Sequence, residues 1–162
     1  MGDGQGDPRH MQPPRIPMTD NSARNHIASS DPGFPARREA AVQIICDAIS
    51  AVALPMGYAQ TVTTWARHSA AGKTAINLQR SRYGFEAYIN LRCLTAGGTL
   101  PDTAIWQDGD DLRLDRFYLP DEAPDNGVLT YLDVIADPGC LILPMTVLRE
   151  RALPWLDGHH TT

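Results

Sequence analysis

The 162-residue chain is short of most of the patterns that announce a chemistry. Cysteine is scarce: Cys46, Cys93 and Cys140 are odd in number, far apart and never arranged as CxxC, which excludes a disulfide framework and a zinc knuckle. Reduced thiols in a cytoplasmic protein fit this usage. Long hydrophobic runs are missing too. No stretch reaches the roughly 18 uninterrupted apolar residues of a membrane helix, and the opening MGDGQGDPRH holds no apolar core of an export signal. The expectation is a soluble protein with no membrane partner. Aromatics make up 7% of the chain, and the 14 Lys and Arg are outnumbered by 19 Asp and Glu, for a net charge of −5 at pH 7. That balance disfavours a polybasic nucleic-acid binder.

What is present is unevenly placed. Six of the 13 prolines fall at positions 8, 13, 14, 17, 32 and 35, among Gly, Asp, Ser and Asn. Such a segment buries too little apolar surface to offset chain entropy, so residues 1–35 are expected to be a disordered leader. Residues 36–158 then form a single α+β domain, and 159–162 a flexible tail. Charge divides within the domain. Residues 36–92 carry seven Lys and Arg against three acids, and 93–148 carry two against ten. A basic first half beside an acidic second half predicts a dipolar surface.

Apolar residues Val42, Ile45, Ala48, Ile49 and Val52 recur at helical spacing, which predicts an amphipathic helix over 36–54 ended by Pro55 and Gly57. Three runs rich in Thr, Val, Ile and aromatics, over 60–67, 73–81 and 85–93, predict an antiparallel meander. The register of the second pair follows from its faces. If paired residue numbers sum to 167, then Ile76, Leu78, Ala87, Ile89 and Leu91 share one side, with Asn77, Gln79, Ser81, Glu86, Tyr88, Asn90 and Arg92 on the other. A shift of one residue mixes polar and apolar on both. The tip falls at Tyr83 and Gly84, as a two-residue loop or the centre of a four-residue one. Short strands are expected over 104–107 and 112–118 about the Asp108-Gly109 turn, and a strand or a short helix over 128–135. A closing helix carries Leu141, Met145, Leu148 and Ala152, with Pro144 kinking or starting it and Pro154 ending it.

Motif by motif, catalysis finds little support. Ala71-Gly72-Lys73-Thr74 looks like the end of a phosphate-binding loop, but Arg67 stands where its first glycine belongs and a strand follows where a helix is required. Asp108, Asp110 and Asp111 lack the spacing of a calcium loop and read as a solvated turn. Of five histidines only His68 lies within the expected rigid part, in a turn and with no nucleophile elbow. No metal or cofactor is expected. Arg67, Lys73, Arg80, Arg82 and Arg92 lie on or beside the meander, yet with little aromatic interleaving, so nucleic acid is not the expected partner.

The amide-rich side of the hairpin carries the functional expectation. Asn77, Gln79, Ser81, Tyr88, Asn90 and Arg92 array uncharged donors and acceptors on a rigid sheet, which suits polar recognition. The expected fold is an antiparallel sheet of four to five strands covered on one face by an N-terminal and a C-terminal helix. The expected function is a non-enzymatic binding module engaging another protein or a small polar ligand. The alternative is a small enzyme acting there on a polar or anionic substrate, with Tyr88 or His68 as acid/base and Arg92 as anion clamp.

The order helix, Gly57-Tyr58 turn, Thr-rich strand near Trp65, then INLQRS (76–81) and YINL (88–91), with a terminal ALPWL (152–156), resembles the bacterial domain of unknown function 4304. The likeness spans about 40–156 and implies a small α+β domain with no established activity. It brings no catalytic residue with it.

Overall fold

The expected first helix forms, and in the computed structural model it runs Phe34–Ala53 as α1. It starts two residues early because Pro35 occupies the first turn, where a missing N–H costs nothing. The structure describes residues 26, 30–69, 72–81, 84–95, 112–122 and 129–158. The expectations for residues 1–25, the 104–107 strand, the Asp108–Asp111 turn and the 159–162 tail lie outside them. Within the unit Met1–Asp31, Ser30 Oγ donates to the His26 carbonyl at 2.6 Å. The architecture below is that of the second unit, Pro32–Thr162.

α1 buries Phe34, Ala41, Val42, Ile45, Cys46, Ile49, Val52 and Ala53. A 3-10 turn, Leu54–Met56, tightens its end, and Gly57 at φ +89° closes it. The Gly57 N–H donates to the Leu54 carbonyl at 3.1 Å and the Tyr58 N–H to the Ala53 carbonyl at 3.2 Å, the paired bonds of a Schellman cap. Phe34–Met56 is also long and apolar enough, by length and composition alone, to cross a membrane. In this fold its buried side is core.

The sheet is antiparallel. Its strands are β1 (Ala59–Thr61), β2 (Thr64–Ser69), β3 (Gly72–Arg80), β4 (Glu86–Thr95), β5 (Leu112–Arg113) and β6 (Leu129–Thr130). The order is β1-β2-β3-β4, after which β5 and β6 pair with different stretches of β4. The expected register holds: Ile76 lies opposite Leu91, Asn77 opposite Asn90, and Leu78 opposite Ile89. At the tip the Ser81 N–H donates to the Glu86 carbonyl at 2.8 Å and Gly84 turns at φ +84°, while Arg82 and Tyr83 lie outside the described residues.

Two strand expectations need correction. The run 60–67 is a hairpin, because Thr61 pairs with Thr64 and leaves Val62 and Thr63 as its loop. Val62 takes φ +53°, a conformation β-branched residues rarely adopt, so nothing in the sequence marks the turn. The run 112–118 is strand only at Leu112–Arg113, and a 3-10 turn follows over Leu114–Phe117. The strand-or-helix alternative over 128–135 resolves into both, β6 leading directly into α2 (Tyr131–Ala136).

The closing helix begins from Asp137, whose carboxylate accepts the Gly139 N–H at 2.9 Å while Pro138 occupies the first 3-10 turn. It continues as α3 (Ile142–Val147), a π-turn (Leu148–Ala152) and α4 (Leu153–Gly158). Pro144 sits in the first turn of α3. Pro154 does not end the helix as expected. It has no N–H to give and would crowd the carbonyl four residues back, and the wider π-turn just before it relieves that conflict.

Both helical segments cover the face that carries Trp65, Ile76 and Leu91. Trp65 Nε1 donates to Ser50 Oγ of α1 at 2.9 Å, and Arg67 donates to Asp157 at the end of α4. Trp65, Ile76, Leu91, Ile45, Ile49, Leu153 and Leu156 are fully buried there. Full burial of each such side chain is worth about 1.5–3 kcal/mol.

Candidate functional site

The opposite face collects the polar residues singled out from the sequence. Register puts Lys73, Ala75, Asn77 and Gln79 of β3 on this side, beside Arg92, Asn90, Tyr88 and Glu86 of β4. Thr64, Ala66 and His68 of β2 join them, as does Arg113 of β5. Asn77 and Asn90 stand opposite each other at its centre, and they are only 2% and 3% exposed.

Their amide donors are engaged locally. Asn77 Nδ2 donates to Thr64 Oγ1 at 2.9 Å, and Asn90 Nδ2 donates to Gln79 Oε1 at 2.7 Å. Tyr88 Oη donates to Glu86 Oε1 at 2.6 Å, and the Arg113 guanidinium lies over the Tyr88 ring, 4.3 Å from its centroid. That separation is cation–π contact. Burial, then the hydrogen bond to Glu86, pushes the Tyr88 phenol up to about 12. Gln79, Ser81, Tyr88 and Arg92 are half-buried. Sequence reasoning missed Arg113, which reaches the face through a two-residue strand too short to leave a periodic signal.

The residues weighed for acid/base work do not converge. Tyr88 and Arg92 are four residues apart along β4, about 13 Å. His68 lies in β2 rather than in a turn, opposite Lys73 and two strands from Arg92. A phenol held near 12 is also poorly matched to proton transfer at neutral pH. Among the described residues, no three His, Cys, Asp or Glu side chains are placed to hold a metal ion.

The basic residues of the meander divide between the two faces. Arg67 sits on the helix-covered side, donating to the Met56 carbonyl at 3.0 Å and stacking 4.9 Å from the Tyr58 ring centroid. Arg80, at the far end of that side, holds Glu39 through two bonds of 2.7 and 3.1 Å. Lys73 and Arg92 lie on the other face. Thr74 of the Gly72-Lys73-Thr74 run is inside β3 and fully buried against the helices, where it cannot serve a phosphate loop.

A groove separates the outer side of α1 from α3. Ile44, Ala48 and Ala51 form one wall and Leu141, Ile142 and Met145 the other, around a groove of about 450 Å³. Ala48, expected in the helix core stripe, is half-buried at this groove. No family model matches the chain, and no curated protein or solved structure shows significant similarity to it.

Proposed function

We propose that the protein is a non-enzymatic binding module that engages another protein, or a small polar ligand, through the polar face of its sheet, opposite the helices. The observation that supports this is the Arg113–Tyr88 stack, braced by Glu86 and flanked by Gln79 and Asn90. Tyr and Arg are the residue types that most often carry binding energy, and an anchor already held in place loses little entropy on contact. The hydrogen-bonded amides beneath it act as a rigid floor. The rest of the reading is a cytoplasmic protein of the small immunity or accessory type found in bacteria, supported by the three scattered cysteines, the acidic balance and the amide-rich face.

The test uses Arg113→Ala and Tyr88→Phe, because changing the buried Asn77 or Asn90 confounds folding with binding. Tagged full-length chain is isolated from its own cells beside each variant, with melting temperature as the control on folding. A partner retained by the parent and lost from a normally folded Arg113→Ala chain supports the reading. A partner equally retained by both variants, or none retained by the parent, overturns it.

A further inference from the structure

We propose that the groove between α1 and α3 is a two-fold self-association surface, and that its occupant is the same groove of a second copy of this chain. The inference is independent of the polar face on the other side of the sheet. It starts from apolar residues of α1 that the fold does not bury: Ile44 and Ala48 are half-buried and Ala51 is exposed. Ile44, Ala48 and Ala51 line the groove from α1, and the small side chains of the two alanines let another helix come close. Ile142, in the wall across from α1, is 72% exposed, so ridge and hole belong to one patch.

A two-fold interface requires self-complementarity, since every contact from i to j recurs from j to i. The charges of the patch meet that requirement. Asp47 lies three residues after Ile44 and four before Ala51, which puts it on the outer rim of the α1 wall. Arg149 lines the opposite wall. Each is exposed and touches a neighbour on its own helix: Gln43 Nε2 donates to Asp47 at 2.8 Å, and Arg149 lies 3.5 Å from Glu150. Apposing two grooves about a two-fold axis sets Ile142 of each copy into the other's cavity. It also brings Arg149 of each copy to Asp47 of the other, so one partner chemistry satisfies the hole, the anion and the cation together.

Sedimentation of the full chain at micromolar to hundred-micromolar concentration tests this, with melting temperature read for every variant. All three positions are exposed, so the folded monomer should melt normally. The parent is expected to dimerise. Ile142→Glu should weaken the dimer by about 100-fold or more, because a carboxylate replaces the inserted apolar side chain while Arg149 of the cavity is already taken by Asp47 of the other copy. Asp47→Arg and Arg149→Glu should each weaken it by about 10-fold, and the double variant should return to within about threefold of the parent. A parent that stays monomeric, a dimer indifferent to Ile142→Glu, or a double variant no better than the single ones overturns the proposal. A monomer that instead floats with phosphatidylglycerol vesicles through Ile142 also overturns it, and assigns the patch to lipid.

Discussion

The two faces of the sheet place their polarity in opposite ways. On the helix-covered face it sits at the rim: Arg67 with Asp157 at one end and Arg80 with Glu39 at the other, around a centre of Trp65, Ile76, Leu78, Ile89 and Leu91. On the opposite face it sits in the middle, where Asn77 and Asn90 are nearly inaccessible and bonded to Thr64 and Gln79. The difference teaches what each face is stabilised by. Charges at a rim keep much of their hydration and pair at little cost. Amides at a centre are tolerated only while each donor has a partner.

The largest expected effect is on the covered face. Trp65→Ala removes the largest fully buried side chain together with its bond to Ser50, and should cost about 3–5 kcal/mol in urea unfolding. A loss near 1 kcal/mol would mean the helices do not depend on this packing. Asn77→Ala should cost about 1–2 kcal/mol, since it strands the Thr64 hydroxyl and opens a small gap. Thr74→Val, three residues before Asn77 and on the other face, should go the other way. Its hydroxyl is fully buried and has no hydrogen-bond partner, so the near-isosteric valine should gain about 1 kcal/mol. Were Asn77→Ala neutral and Thr74→Val destabilising, the contrast between the faces would be reversed.

A further charged pair, between the 119–122 segment and the π-turn, can be tested by pH. Glu122 accepts two bonds from Arg151, at 2.5 and 2.9 Å, and one from the Leu119 N–H. These bonds, chiefly that with Arg151, hold its carboxyl down from 4.5 to about 2. A lowered folded-state value means that the contribution is fully present above about pH 4.5 and drains away as pH falls toward 2. Glu122→Gln should therefore melt below the parent at neutral pH and converge with it by pH 2. The pair is half-buried and still reached by water, so the gap should be modest and should shrink in salt. A gap that widened on acidification would show that Glu122 stabilises by packing instead of by charge.

Much of this was legible in the residues, and what was not has physical reasons. The β3–β4 register followed from Asn77, Gln79, Tyr88 and Asn90 alternating against Ile76, Leu78, Ile89 and Leu91, because one slip would flip every side chain. Helix α1 followed from its apolar spacing. Alternation could not show that the polar side would be closed over at its centre. That depends on how the neighbouring side chains of β2, β4 and β5 lean together, with Arg113 arriving from a strand of two residues. Nor could it show a helix running through Pro154, because the compensating π-turn is a tertiary adjustment and carries no composition of its own.

The smallest expected effect is at the end of the relay that joins the covered face to the sheet edge. Trp65 Nε1 donates to Ser50 Oγ, Ser50 Oγ to Gln60 Oε1 at 2.9 Å, and Gln60 Nε2 to the Val62 carbonyl at 2.9 Å. Val62 ends that chain in the left-handed region at φ +53° and is 82% exposed, so it bears strain without a packing reward. Relief of a left-handed L-residue is worth about 1–2 kcal/mol, and the extra freedom glycine gives the unfolded chain takes back about 0.4–1 kcal/mol. Val62→Gly keeps the carbonyl that Gln60 binds, so the net should be a gain of about 0.5 kcal/mol in urea unfolding. If the relay is what holds Val62 in place, Ser50→Ala should change that gain, because the two sites then share one hydrogen-bonded chain. Strict additivity of the two substitutions would cut the hairpin tip off from the covered face and leave its strain a local matter.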